Sequence, residues 1–191
     1  MNADTLAKAK EHVLYELAAF VGALRLRDNP PTVQEAKNFV IECVALHARN
    51  LIGFLSPRSP QPDDLLATHY VVGFAPNATE QAAFSQIWRR ANKEIAHLTT
   101  ERVTDAEHAS GTVSKAWPLK DLVPVIECSR RFAEQMLASA HITTASERAN
   151  WEAVRDALDR IAAPSNTQPA PVPTGLAPAL AETSPTTKSK F

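Results

Sequence analysis

The residues with the greatest chemical potential lie between positions 88 and 108, where arginines and histidines recur at short spacing. Arg90 precedes His97 by seven positions, and Arg102 precedes His108 by six. A histidine exchanges a proton near pH 7, and a guanidinium holds negative charge that develops on phosphorus. Such a pair suits the cleavage of a phosphodiester that has a neighbouring hydroxyl. Because two pairs fit, spacing alone does not choose between Arg90/His97 and Arg102/His108.

The first pair falls on a predicted helix, about 79–99, with apolar residues at three- and four-residue spacing. At 100° per residue, Arg90 and His97 share a face about 120° from the core direction and stand about 10 Å apart along the axis. Long side chains on that face can converge on a phosphate-sized group. Glu94 lies between them at helical neighbour spacing, so a solvated face of ion pairs is the alternative interpretation.

Charge limits how this stretch contacts nucleic acid. The chain has 20 basic and 21 acidic residues and a net charge of −1, which excludes a generally basic surface. Any nucleic-acid contact must therefore be local. The local net charge around the candidate pair is positive, because this stretch contains four basic residues and only two acidic ones. The basic residues are Arg89, Arg90, Lys93 and Arg102.

A second polar group lies on the preceding predicted helix, about 32–55, and comprises Glu42, His47, Arg49 and Asn50. His47 falls on the apolar stripe of that helix, so it is either a core histidine bonded to a neighbouring helix or part of a site. If the second and third helices pack antiparallel, His47 or Arg49 approaches His97.

The elements that carry these residues are predicted to be helices. The apolar patterns indicate five of them, at about 4–27, 32–55, 79–99, 121–140 and 144–161. Capping boxes are predicted to start two of them, at Thr32–Glu35 and Thr144–Glu147, and Asn77 with Glu80 three residues later is a further start signal. Pro124 fits the fourth only if it lies in the first turn. Segment 64–75 is predicted as either a short helix or an extended piece, and segment 100–117 as a long connection.

The fold class follows from this pattern. Five amphipathic helices bury their stripes by packing side by side, and five glycines are too few for the turns of a sandwich or barrel. We expect an all-α helical bundle over 1–162. Residues 163–191, rich in proline, alanine and threonine, are predicted to form a disordered tail.

No cofactor or metal is expected from the motifs. The histidines show no HExxH spacing, and phosphate-binding glycine loops and GxSxG are missing. Asp63, Asp64 and His69 are interpreted as a polar loop entering a helix. Cys43 and Cys128 are predicted to be free, buried thiols. With no signal peptide and no apolar run of about 20 residues suited to a membrane, we expect a cytoplasmic protein without membrane contact.

The string Asn92-Lys93-x-x-Ala96-His97-Leu98 at the end of an amphipathic helix resembles the HEPN superfamily. The likeness is closest to its bacterial branch associated with abortive infection and toxin–antitoxin systems. The resemblance implies an all-α, usually dimeric, metal-independent endoribonuclease with an Arg-x(4–6)-His motif facing a cleft between subunits. It further implies His97 as the proton-transfer residue, Arg90 as the phosphate-stabilising residue and Asn92 as a supporting polar group.

The function predicted is therefore that of a HEPN-like endoribonuclease or RNA-binding toxin or defence protein, with an antitoxin or regulatory protein as a further partner. Supporting or RNA-binding roles are assigned to Asn92, Lys93, Arg89, Arg102, His47 and Arg49. Because Arg90 and His97 point away from the core, activity is expected to require a homodimer. The alternatives are a non-catalytic dimerisation or partner-binding module, and a regulator that binds a nucleotide without cleaving it.

Overall fold

Five α-helices dominate the part of the chain that the computed structural model describes, residues 2–93 and 117–163. They are α1 (Ala3–Asp28), α2 (Gln34–Leu55), α3 (Ala78–Ala91), α4 (Leu119–Leu137) and α5 (Ala145–Ala162), and a short 3-10 helix spans Ala67–His69. No β-strand occurs in these two ranges. The prediction of an all-α helical bundle is confirmed, and segment 64–75 contains the short helix.

Each helix buries one apolar stripe, and an aromatic cluster joins the stripes at the centre. The Phe132 ring of α4 packs edge-on against Phe54 of α2 at 5.0 Å and against Phe74 at 5.4 Å. Trp151 of α5 lies 6.1 Å from the same ring. Because Phe132, like Trp151, is almost wholly buried, this cluster supplies a large share of the apolar area removed from water.

The predicted start signal at Asn77 and the predicted capping box at Thr144 are both confirmed, and both form capping boxes. Asn77 Oδ1 accepts from Glu80 N at 2.9 Å while Asn77 N donates to Glu80 Oε2 at 2.7 Å. Thr144 and Glu147 make the equivalent reciprocal pair at the start of α5. These caps satisfy backbone N–H groups that have no partner within the helix.

The other predicted capping box, at Thr32–Glu35, was wrong. Helix α2 begins at Gln34, and its N-cap is Val33, which forms no side-chain cap bond. Glu35 is therefore the second helical residue, one position short of the place from which a capping-box carboxylate reaches back.

The expected position of Pro124 was also wrong. Helix α4 begins at Leu119, so Pro124 is its sixth residue and lies beyond the first turn. Proline has no N–H, so the backbone bond that this position would donate to the carbonyl of Lys120 is missing.

Two polar contacts tie distant elements together. Lys10 of α1, only 7% exposed, donates to the carbonyl of His141 at 2.7 Å and pairs with Glu147 at 2.6 Å. Glu80 at the start of α3, 3% exposed, accepts from both terminal nitrogens of Arg131 at 2.8 Å. These contacts hold α1 against the α4–α5 turn, and α3 against α4.

Helix α2 is long and apolar enough to cross a membrane by length and composition, but 44% of its most apolar window is buried in the bundle. A core helix of a soluble protein passes the same test, so this is weak evidence for a membrane. The predicted third helix beyond Lys93, the connection up to residue 116, and the predicted tail apart from Ala163 lie outside the described residues.

Candidate functional site

The end of α3 presents polar residues on two flanks. Phe84, Ile87 and Ala91 are buried and fix the rotation of the helix against the core. Residues 92 and 93 follow in a π-helical turn, a feature that is frequent at functional sites. Asn92 then lies toward α2, whereas Arg90 lies toward α4.

On the α2 flank, the Nε of Arg49 donates to Asn92 Oδ1 at 2.6 Å. The same guanidinium lies over the ring of Trp88, 4.9 Å from its centroid, in a cation–π contact. We call Arg49, Trp88 and Asn92 the Arg49 cluster. Gly53, one turn after Arg49, also faces Trp88: a Cβ placed there would lie 3.3 Å from the indole ring. The pairings 49 with 92 and 53 with 88 show that α2 and α3 run antiparallel at this contact.

A second polar group joins α1 to α2. His47 Nδ1 lies 2.8 Å from Glu16 Oε2, and Asn50 Nδ2 donates to the same oxygen at 3.3 Å. The exposed ring of Tyr15 packs edge-on against His47 at 6.4 Å. The histidine side chain is 14% exposed, so it bonds to a neighbouring helix from a largely buried position.

A cleft of about 370 Å³ opens between these two groups. Its polar lining includes Glu16, Arg49 and Asn50, with Asp64 from the loop that follows α2. Its apolar lining includes Val13, Phe54 and Leu65, and Trp88 forms part of the wall.

Arg90 belongs to the opposite flank of α3. Its guanidinium lies over the ring of Trp117, 4.8 Å from the centroid, and 3.9 Å from Asp121 of α4. Both residues line a second cleft of about 220 Å³, together with Lys120 and Pro124. Trp117 is 3% exposed, and within the described ranges its indole N–H has no hydrogen-bond partner.

The structure therefore brings Arg49 and Asn92 together and separates them from Arg90. Arg89 is exposed and Lys93 is half-buried, and neither is without a partner. His97, Arg102 and the alternative His108 lie outside the described residues. Asp64, named with Asp63 and His69 as loop residues, accepts from Gln61 N at 2.7 Å, and His69 Nδ1 accepts from Leu66 N.

Two members of the site were not assigned to it from the sequence. Trp88 fits the apolar stripe of α3 and is indistinguishable there from a core residue, although its half-exposed ring supports Arg49. Glu16 is one acid among 21, and only the packing of α1 on α2 brings it to His47. The signal that was available was the group of polar residues His47, Arg49 and Asn50, which interrupts the apolar second half of α2.

Comparisons of the chain with models of known families, with curated proteins and with solved structures find no match. The functional argument therefore depends on the side chains and their geometry. Among residues 2–93 and 117–163, no three His, Cys, Asp or Glu side chains are grouped closely enough to hold a metal ion.

Proposed function

We propose that the chain is a HEPN-like, metal-independent endoribonuclease that acts as a homodimer and serves as a toxin or defence protein. The observation that carries the proposal is the hydrogen bond between Arg49 and Asn92. It brings a guanidinium to the residue five positions before His97, the candidate proton-transfer residue. Arginine can stabilise charge on a phosphoryl group and histidine can transfer protons, and both roles serve RNA cleavage.

In the proposed reaction, the imidazole of His97 takes the 2′-hydroxyl proton while water protonates the leaving 5′-oxygen, or its imidazolium protonates that oxygen while water takes the 2′-hydroxyl proton. As the 2′-oxygen bonds to phosphorus, the P–O5′ bond breaks and the 5′-oxygen takes up a proton. Negative charge develops on the phosphoryl oxygens, and a guanidinium stabilises it. Arg90, first assigned this role, faces Trp117 and Asp121, so Arg49 is a second candidate for it.

A second copy of the chain would enclose the site. Both clefts open to solvent in a single chain, and exclusion of water strengthens electrostatic stabilisation. Helix α2 exposes Phe39 and Leu46, 66% and 45% accessible, at seven-residue spacing on one face. Large apolar side chains exposed together favour a protein partner, and we propose a second copy of this chain.

The same exposed face supports the alternative of a non-catalytic dimerisation or partner-binding module. An antitoxin or other regulatory protein would then occupy the face that includes Phe39 and Leu46. The two functions differ in what they require of His97, since only the nuclease needs its imidazole to exchange protons with RNA.

The test incubates folded wild-type protein with total RNA in EDTA, beside His97→Ala, Arg90→Ala and Arg49→Ala. Two variants serve as matched controls: His108→Ala tests the alternative pair, and Arg25→Ala removes an exposed arginine of α1. We expect His97→Ala to lose cleavage by at least about 100-fold, as removal of a general acid–base group does. Cleavage that survives in His97→Ala, with unchanged circular dichroism, would contradict the proposal.

A further inference from the structure

The Arg49 guanidinium is held on two sides and has donors left over. The Trp88 ring supports its plane and Asn92 accepts from its Nε. Within residues 2–93 and 117–163, its two terminal nitrogens make no hydrogen bond or ion pair. A guanidinium fixed in this way presents a planar pair of N–H donors at little further entropic cost, which is the geometry that a phosphate or carboxylate accepts.

Those donors lie at a cleft of a size that suits a small ligand. Its volume of about 370 Å³ falls at the lower end of the range of roughly 300–1,000 Å³ that ligand pockets occupy. Val13, Phe54 and Leu65 provide an apolar wall on which a flat ring can be buried. A cleft with one anchored cation and an apolar wall favours a ligand with an anionic end and a planar, poorly hydrated end.

Two carboxylates determine what else the ligand must carry. Glu16 and Asp64 line the same cleft as Arg49 and His12, so an isolated anion bound there meets two carboxylates beside the guanidinium and the imidazole. Glu16 Oε2 is bonded to His47 and Asn50, and Asp64 Oδ2 accepts from the backbone of Gln61. Each carboxylate keeps its other oxygen as an acceptor. A ligand with hydroxyl or amino donors beside its anionic group matches these acceptors, whereas the P–O–H donors of inorganic phosphate lie on the anionic group itself and it has no ring for the apolar wall.

We infer that this cleft binds one nucleotide unit of an RNA chain, with its phosphate on the terminal nitrogens of Arg49. The base lies against the apolar wall, and the ribose hydroxyls or the exocyclic amine donate to Glu16 and Asp64. The assignment of RNA as the parent molecule rests on the proposed function. The match of phosphate, donors and ring to the cleft depends only on the residues that line the cleft.

The test is calorimetric titration of the full chain at neutral pH in EDTA, with adenosine 5′-monophosphate, adenosine and inorganic phosphate as probes. The nucleotide is expected to bind at least about tenfold more tightly than either fragment. Arg49→Gln is expected to lose about tenfold or more in nucleotide affinity, while Arg25→Gln, at an exposed arginine of α1, retains it. Circular dichroism and thermal unfolding verify that each variant is folded.

A neighbouring pair of aspartates gives a sharper control. Asp64 lines the cleft and Asp63 does not, although both are exposed in the same loop. Asp64→Asn is expected to raise the affinity for inorganic phosphate and to reduce the preference for the nucleotide by a few-fold. Asp63→Asn is expected to leave both unchanged. Equal effects of the two substitutions would overturn the role of Asp64 in selectivity.

Failure of the inference differs from failure of the proposed function. His97→Ala is expected to abolish RNA cleavage and to keep nucleotide binding. A dissociation constant for the nucleotide above about 10 mM would overturn the inference even if wild type cleaves RNA. A dissociation constant that is unchanged in Arg49→Gln would overturn it as well. Phosphate that binds as tightly as the nucleotide would also overturn it, since the cleft would then recognise only an anion.

Discussion

The Nε of Arg49 and the side-chain oxygen of Asn92 meet at 2.6 Å, although 43 residues separate them in the chain. The contact crosses from α2 to α3, and the ring of Trp88 packs against the same guanidinium. Two candidate arginines therefore lie on opposite flanks of α3. Arg49 lines one cleft, whereas Arg90 contacts Trp117 and lies 3.9 Å from Asp121 on the other flank.

Two helical glycines test whether the support of Arg49 depends on close packing. A Cβ on Gly22 of α1 would meet no atom within 4 Å, so Gly22→Ala is expected to stabilise the fold by about 0.5–1 kcal/mol. A Cβ on Gly53 would lie 3.3 Å from the Trp88 ring, which must shift. Gly53→Ala is therefore expected to gain less stability and to weaken nucleotide binding. Urea denaturation measures the change in stability, and the calorimetric titration measures the change in nucleotide affinity. Equal changes in Gly22→Ala and Gly53→Ala would show that the support of Arg49 does not depend on close packing at Gly53.

The contact of Arg131 with Glu80 is expected to be essential for folding stability. Glu80 is 3% exposed and accepts both Arg131 bonds and the cap bond from Asn77 N. Arg131→Met leaves a buried carboxylate without its cation, at an expected cost of about 3 kcal/mol in the free energy of unfolding. Adding Glu80→Gln should recover part of that loss. Urea denaturation of the single and double variants measures the coupling, and strictly additive effects would show that the pair does not act as a unit.

Acid is expected to weaken the attachment of α1 to the start of α5. Lys10, with the N–H groups of Thr143 and Thr144, lowers the pKa of Glu147 from 4.5 to about 2. Because the folded-state pKa lies below the unfolded value, the stabilisation is complete above pH 4.5 and is lost as the pH falls through about 2. The difference in unfolding free energy between wild type and Glu147→Gln should therefore shrink over that interval. A difference that stays constant with pH would contradict this interpretation.

The two cysteines should differ in reactivity. Burial, with the nearby Glu80 carboxylate, raises the pKa of Cys128 to about 12, so its thiolate is scarce at neutral pH. Cys43 is half-buried, and burial with Glu42 raises its pKa also. In a native thiol titration with a disulfide reagent, only Cys43 is expected to react, and slowly. Cys43→Ser should abolish the native signal, and rapid reaction of Cys128 in that variant would show that the core is open.

The helices were predictable because their signals are local. Apolar spacing and the caps at Asn77 and Thr144 depend on residues within one or two turns of each other, and both caps formed. The start of α2 was misplaced because Thr32 and Glu35 match the capping pattern while Val33 occupies the cap. Spacing along the sequence also does not tell how one helix is placed against its neighbour.

The candidate site was predictable only in part for that reason. Arg49 and Asn92 were each named as supporting residues, but their contact depends on the register of α2 against α3. The helical rotation of Arg90 placed it away from the core, and helical phase does not report that its guanidinium lies over Trp117, a residue from a distant segment. Residues on separate helices are brought together by packing, which local periodicity does not encode.

The central claim is that the chain cleaves RNA through the 2′-hydroxyl without a metal, and the ends of the products test it most directly. A short RNA and the same strand with a 2′-deoxy residue at the cleaved position are incubated with the protein in EDTA, and the products are identified by mass spectrometry. The account predicts a 2′,3′-cyclic phosphate and a 5′-hydroxyl from the RNA, and no cleavage of the deoxy-substituted strand. Cleavage at the deoxy position, or products that carry a 5′-phosphate, would contradict it.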